Sequence, residues 1–443
     1  MSNRFCWLAL ALALTLAAPS QDATAQALSA DVQRRITALE PKVVAWRRDL
    51  HQNPELGNRE FRTSKLVADH LRALGIEVQT GVAHTGVVGI LRGGKPGPVV
   101  LLRADMDGLP VTERVNIPFA SKVKAQYNGQ EVGVMHACGH DTHVAILMGT
   151  AEVLAAMKNE LQGTVKFVFQ PAEEGAPVGE QGGAELMVKE GVLSNPNVDV
   201  GFALHIDSKR EVNTIGYTPG GIWASADDYR ILVKGKQTHG AAPWNGVDPI
   251  VVGAHIVTAL QTIVSRSMDI TQNPSVVTVG KFSGGVRFNI IPEQAELVGT
   301  IRALHPDDRK KIHELVRRTA TNIAEAMGAT VEVQVPATTA YPVTFNNVAL
   351  TNAMLPTLQA VAGADKVQLI KPQTGAEDFS FFAEKVPGFY ISLGGRAKDK
   401  TADQVADHHT PDFFIDDSGL GLGVKAMTAM TLNYMRTNSR PTP

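Results

Sequence analysis

The chain has 443 residues, of which 44% are hydrophobic and 19% charged, and its 42 Lys and Arg against 44 Asp and Glu give a formal charge of -2. That length allows two to three domains with a full core. The balanced charge excludes nucleic acid as a partner, because no basic field is present to hold a phosphate backbone.

Residues 1–25 read as a signal peptide. Arg4 supplies a short positive region, Phe5 to Ala18 is apolar, and Ala23-Thr24-Ala25 is a small-residue cleavage pattern with cleavage expected after Ala25. The run is too short for a comfortable membrane span, and no later stretch approaches ~20 uninterrupted apolar residues. The mature chain is expected to be exported, periplasmic or secreted, with no membrane attachment. Cys6 precedes the apolar run, which argues against lipid attachment there, and it leaves with the peptide. Cys138 is then a lone thiol in an oxidising compartment, a liability unless it is buried or bound.

In chain order, apolar residues at helical spacing predict a helix over 28–48 and a second over 63–74, ended by Gly75. Short β-rich runs follow at 76–80, 87–92 and 99–103. Val99 to Leu102 is continuously apolar, as in a strand buried on both faces, and it empties into RADMDGLP, Arg103 to Pro110. Ligands of open α/β sheets gather at the carboxyl ends of strands, which marks Asp105 and Asp107. A turn stabilised by Asp side chains reads equally from this stretch.

Met135 to His143, MHACGHDTH, holds the strongest chemical signal. Cys138 and His140, two apart, can converge on one point, with Gly139 freeing the turn between them. Thiolate plus imidazole suits Zn²⁺ or a similar first-row ion. The plainer alternative is a buried cysteine beside a helix start capped by Asp141.

A helix is expected over 142–158 and a strand over 164–169, running into QPAEEG with Glu173 beside Glu174. Adjacent acids usually mark a solvated turn. Near a divalent cation the pair divides labour, one ligating and one taking a proton from metal-bound water. A strand over 198–204 ends at His205, which alone would read as a core or surface histidine.

From about Trp223 the pattern becomes strand 228–234, helix 248–264, strands 275–281 and 294–303, helix 305–327 and strand 330–335. That βαββαβ order is a ferredoxin-like unit, expected over 223–336. It carries His239 in GKQTHGAAPW, Asn289 before Ile290-Ile291-Pro292, and Arg302 at a strand end. The αβ alternation then resumes with helix 350–361, GAEDFSFF, strand 388–393, His408-His409-Thr410-Pro411 and a helix over 418–435. The first domain is therefore discontinuous, over 26–222 and 337–443.

With RADMDGLP, MHACGHD, QPAEEG, the His239 and Asn289 segments, GAEDF and HHTP in this order, the chain resembles the M20 metallopeptidase family. The match is nearest its amidohydrolase branch, which includes hippurate, N-acyl-amino-acid and auxin-conjugate hydrolases. The resemblance implies a zinc-exopeptidase-like mixed-sheet catalytic domain with an inserted lid or dimerisation domain. It also implies two divalent ions, Zn or Mn first and Ni or Co next, held by Cys138, His140, Glu174, His205 and His409. Glu173 would be the general base, and Asp105 would support a ligand imidazole. Arg103 stands where the peptidase branches place a ligand histidine, and His408 is expected to be structural. His239 would reach the partner subunit's site in a homodimer and donate to the oxyanion. Asn289 and Arg302 would hold a substrate carboxylate, the guanidinium bidentately; a strand-end surface arginine is the plainer reading.

Segments 121–134 and 176–181 look longer than in the shortest relatives and adjoin the metal motifs. The expected reaction is metal-dependent hydrolysis of an N-acyl amino acid or similar small amide. A dipeptidase or carboxypeptidase of the same family, and a catalytically dead binding protein on this fold, are the alternatives.

Overall fold

The structure is a computed structural model that describes residues 28–338 and 340–438; the expected signal peptide lies outside them. Its larger sheet has eight strands in the order Glu77–Val82, Gly86–Arg92, Gln162–Gln170, Lys95–Asp105, Val200–Glu211, Gly388–Arg396, Ile215–Tyr217 and Val367–Leu369. The four central strands, from Gln162–Gln170 to Gly388–Arg396, are parallel neighbours. Their carboxyl ends therefore open along one edge.

Helices cover both faces, which is why these strands read as nearly continuous apolar runs. On one face Val100, Leu102, Phe167 and Phe202 pack with Ala30–Gln52, His140–Ala156, Val348–Ala362 and Leu420–Thr437. On the other, Leu101, Val168 and Ala203 meet Ala184 and Met187 of Gly183–Lys189 and Phe382 of Ser380–Ala383. Neighbouring residues of one strand thus serve opposite cores, as the period of two requires.

The second sheet runs Ser275–Gly284, Gln294–Ala303, Ala226–Lys234, Thr330–Gln334, with every pair antiparallel. With Pro249–Thr262 and Pro306–Ala326 it forms the expected βαββαβ unit around Tyr229, Ile231, Leu297, Ile256 and Val316. Asp248 starts the first of these helices by accepting the amides of Ile250 and Val251, with Pro249 at the first turn.

Several features escaped the sequence reading, among them the short strands Ile215–Tyr217 and Val367–Leu369. Gly183–Lys189 is a seven-residue helix, too short to show a periodicity. Within segment 121–134, Lys124–Tyr127 and Gln130–Gly133 pair as a hairpin. Its two-residue loop, Asn128-Gly129, has both φ angles positive, at 50° and 78°, a recognised hairpin-turn signal.

Candidate metal centre

The residues of interest gather where the parallel strands end. Asp105 closes its strand, Glu173 and Glu174 follow Gln162–Gln170, and His205 lies in Val200–Glu211. Cys138 and His140 sit at the start of His140–Ala156 through a turn at Gly139, whose φ is +89°. A Cβ at Gly139 would stand 2.4 Å from Ile206 Cγ2, so both its conformation and its clearance require glycine. Asp141 is not the cap; it is buried against Arg47 and His51.

Cys138 Sγ lies 3.4 Å from His205 Nε2 and 3.3 Å from His409 Nε2. His409 Nε2 is 2.9 Å from Glu174 Oε1, and His140 Nε2 is 3.8 Å from Glu173 Oε2 and 4.0 Å from Glu174 Oε1. Two donor sets share the sulfur: Cys138, His140 and His205, and Cys138, Glu174 and His409, each with its donor atoms within 4.8 Å of one another.

The ring tautomers follow from the outer contacts. His140 Nδ1 lies 2.9 Å from the Asp107 carbonyl and His205 Nδ1 lies 2.5 Å from the Ile206 carbonyl. A carbonyl only accepts, so each Nδ1 carries a proton, which leaves Nε2 as the atom that a metal ion would take from each ring. His140 Nε2 is buried with no hydrogen-bond partner among the described residues. His408 differs: its Nε2 accepts the Ser208 amide at 3.2 Å, so Nδ1 donates to the Cys138 carbonyl at 3.2 Å. Both of its ring nitrogens thus meet backbone groups, and Nδ1 lies 3.7 Å from Cys138 Sγ.

The electrostatics ask for cations. Burial pushes the Cys138 thiol up, and the Glu174, Glu173 and Asp105 carboxylates push it further. Burial alone would lower His140, but Asp105, Asp107 and Glu174 outweigh it and push the ring up to about 10. Glu173 is raised by burial, then by Glu377 and Glu174. A divalent ion supplies the missing positive charge and favours thiolate and neutral imidazole. An orphaned ring nitrogen, a buried thiol and soft-to-borderline donors fit such ions.

Asp105 turns its short contacts away from the ligand rings. Its Oδ1 receives His143 Nδ1 at 2.5 Å and its Oδ2 receives Arg103 Nη1 at 2.7 Å, while His140 Nε2 is 3.8 Å away. The oxygen that fixes the His140 ring belongs to Asp107. Arg103 is fully buried, and its guanidinium also binds Gln170, Glu377 and Asp378. Sequence reasoning missed Glu377, Asp378 and His143, although the first two stand in GAEDF and the last in MHACGHDTH. The Trp223 ring stands 5.7 Å from that of His205 and walls one side.

The inserted-domain residues lie elsewhere. Thr238–His239 pairs with Ile290–Ile291 as a small two-stranded sheet, bringing His239 beside Asn289, whose carbonyl accepts the Gly240 amide at 2.9 Å. His239 Nδ1 accepts the Ala241 amide, and Asn289 Oδ1 is buried without a partner among the described residues. Arg302 binds Thr300, the Ile301 carbonyl and, at 3.2 Å, the Thr374 carbonyl before GAEDF. Among the described residues, no hydrogen bond or ion pair joins these three to the metal-side cluster.

Residues 101–433 match the peptidase family M20/M25/M40. The chain is 40% identical to thermostable carboxypeptidase 2 of Saccharolobus solfataricus over 90% of this chain and 97% of that one. It is 35% identical to N-acetylcysteine deacetylase of Bacillus subtilis over 90% and 98%. Its fold superposes on a dinuclear metal-binding M20 peptidase of Bacillus subtilis with a TM-score of 0.74 and 33% identity, covering 90% and 99%. The chain therefore belongs to the M20/M25/M40 peptidase family and is a metal-dependent hydrolase.

Proposed function

We propose that the protein hydrolyses the amide bond of N-acyl amino acids or similar small amide conjugates, releasing a carboxylate and a free amino acid. The observation that carries this reading is Glu173, a buried carboxylate beside two donor sets that share Cys138. Cys138, His140 and His205 would hold one ion, and Cys138, Glu174 and His409 the other, Zn or Mn first and Ni or Co next. Bound there, such ions supply Lewis acidity toward water and the scissile carbonyl. Glu173 takes the proton of the attacking water and returns it to the leaving amine. Its burial among carboxylates raises its proton affinity toward the range a general base needs at neutral pH.

His239 donates to the oxyanion, and Asn289 and Arg302 hold the substrate carboxylate. Their separation from the metal side supports delivery across a homodimer. So does the inserted domain's surface. Ser275–Gly284 is an edge strand exposing Val276 and Phe282, and Val251 is exposed on the helix packed beside it. Val286 and Phe288 are 98% and 94% exposed in the turn leading to Asn289, and apolar groups so placed suit a partner surface. The mature chain works outside the cytoplasm, as the composition of residues 1–25 supports.

The 40% identity to a carboxypeptidase favours one second reading, cleavage of a C-terminal residue from a short peptide. Assay of the metal-loaded protein against N-acyl amino acids, dipeptides and blocked peptides separates the two. Preference for N-acyl amino acids supports the proposal. Hydrolysis of free-amine dipeptides alone refutes it.

A further inference from the structure

Three consecutive amides of the loop carrying Glu173 and Glu174 are each gripped by a buried carboxylate from a distant part of the chain. Ala172 N–H donates to Glu60 Oε1 at 2.9 Å, Glu173 N–H to Asp107 Oδ1 at 3.0 Å and Glu174 N–H to Asp107 Oδ2 at 3.0 Å. Glu60 and Asp107 are 0% and 2% exposed. Ala172 has φ +49°, a left-handed conformation that a residue with a Cβ adopts only when its surroundings impose it.

The grip answers a geometric problem. In a chain that simply continued the strand, Glu173 and Glu174 would point to opposite sides. Here both carboxylates come within 4.0 Å of His140 Nε2, after a chain reversal at Ala172 fixed from below by acceptors. The Asp107 backbone carbonyl also receives His140 Nδ1–H. One residue thus fixes a ligand ring from one donor set together with the loop that supplies the base and a ligand of the other.

We propose that Asp107 and Glu60 are positioning residues that hold the 172–174 loop in the one shape that serves both metal uptake and proton transfer. This rests on the roles assigned to Glu173 and Glu174 above. The Glu60 grip is itself braced, since Thr85 Oγ1 donates to its second oxygen at 2.5 Å.

The test is equilibrium zinc binding by chelator competition, without substrate, together with kcat and KM of the zinc-loaded enzyme. Asp107→Asn keeps the backbone carbonyl on His140, whose Nδ1 also lies 3.3 Å from Asp107 Oδ1, and turns one acceptor oxygen into an NH₂ facing an amide N–H; Glu60, which does not touch that ring, isolates the loop's share. Zinc affinity should fall about 10- to 100-fold, as it does when groups orienting metal ligands are removed. At saturating zinc, kcat should fall on the order of 100-fold with KM within about threefold. Zinc affinity and kcat both within about twofold of wild type overturn the proposal, even if thermal stability drops. Should Asp107→Asn not fold, Glu60 decides. Glu60→Gln retains an oxygen for Ala172 and should keep zinc affinity and kcat, whereas Glu60→Ala should lose both. An alanine variant that matches wild type, or a glutamine variant as damaged as alanine, overturns it. Wild-type protein that binds no zinc defeats the metal reading itself; wild type that binds zinc beside unaffected variants defeats only this inference.

Discussion

Replacing Arg103 with methionine removes a cation that three buried carboxylates share. The guanidinium donates to Asp105 at 2.7 Å, and to Glu377, Asp378 and Gln170 at 2.8 Å each. Breaking a buried ion pair from one side typically costs about 3–5 kcal/mol. Part of that is offset here. Glu377 keeps the Tyr390 hydroxyl and Phe379 amide, Asp378 keeps Gln170 Nε2 and the Ala184 amide, and Asp105 keeps His143. The lower end, about 3 kcal/mol, is therefore expected, and at about 1 °C per kcal/mol for a chain of this size the melting midpoint should fall by roughly 3 °C. The assay is thermal unfolding of metal-free wild type and variant at pH 8 and pH 5.5. Burial already pushes Asp378 up to about 8, with Glu377 adding to it against Arg103. A carboxyl whose folded pKa is raised contributes stability that is complete below the ordinary carboxyl range and lost as pH rises toward the folded value. Without Arg103 the pKa rises further, so the variant's deficit should shrink at pH 5.5, where Asp378 is neutral and needs no cation. A midpoint unchanged at pH 8, or a deficit that does not shrink at pH 5.5, refutes the reasoning.

Three further predictions follow from the same site. Glu173→Gln should keep fold and metal but lose on the order of 10²- to 10⁴-fold in kcat; wild-type turnover removes Glu173 as the base. Cys138 should react with a thiol reagent much faster in the metal-free protein than in the metal-loaded one, and equal rates at verified metal occupancy would make it a structural cysteine. His239→Ala and Glu173→Gln, each nearly inactive alone, should complement when subunits exchange. Random assortment makes about half the dimers mixed, each with one intact site, so activity should reach roughly a quarter of wild type per subunit; no recovery after exchange verified by mass places His239 outside a shared site.

The cluster was legible in the sequence because its donors are strong chemical types placed at strand ends. Cys138 and His140 flank a glycine, Glu174 follows one buried strand and His205 lies on another, and the structure brings all four together with His409. What was not legible is the layer beneath. Asp107 reads as a strand-end site residue or equally as a turn residue in RADMDGLP, and nothing local says that its carboxylate meets two amides 66 and 67 residues away. Arg103 to Glu377 spans 274 residues, a pairing set by sheet order rather than by any periodicity. The ferredoxin-like unit, by contrast, could be read from element order alone, because its helices and strands are long and regularly patterned.

The central claim, a metal pair sharing the Cys138 sulfur, is tested most directly by titrating metal-free protein with Co²⁺ while following thiolate-to-cobalt charge-transfer absorption. Two equivalents per chain should bind, with a thiolate band that Cys138→Ser abolishes. Binding of a single equivalent, or binding without a thiolate band in the wild-type protein, would contradict it.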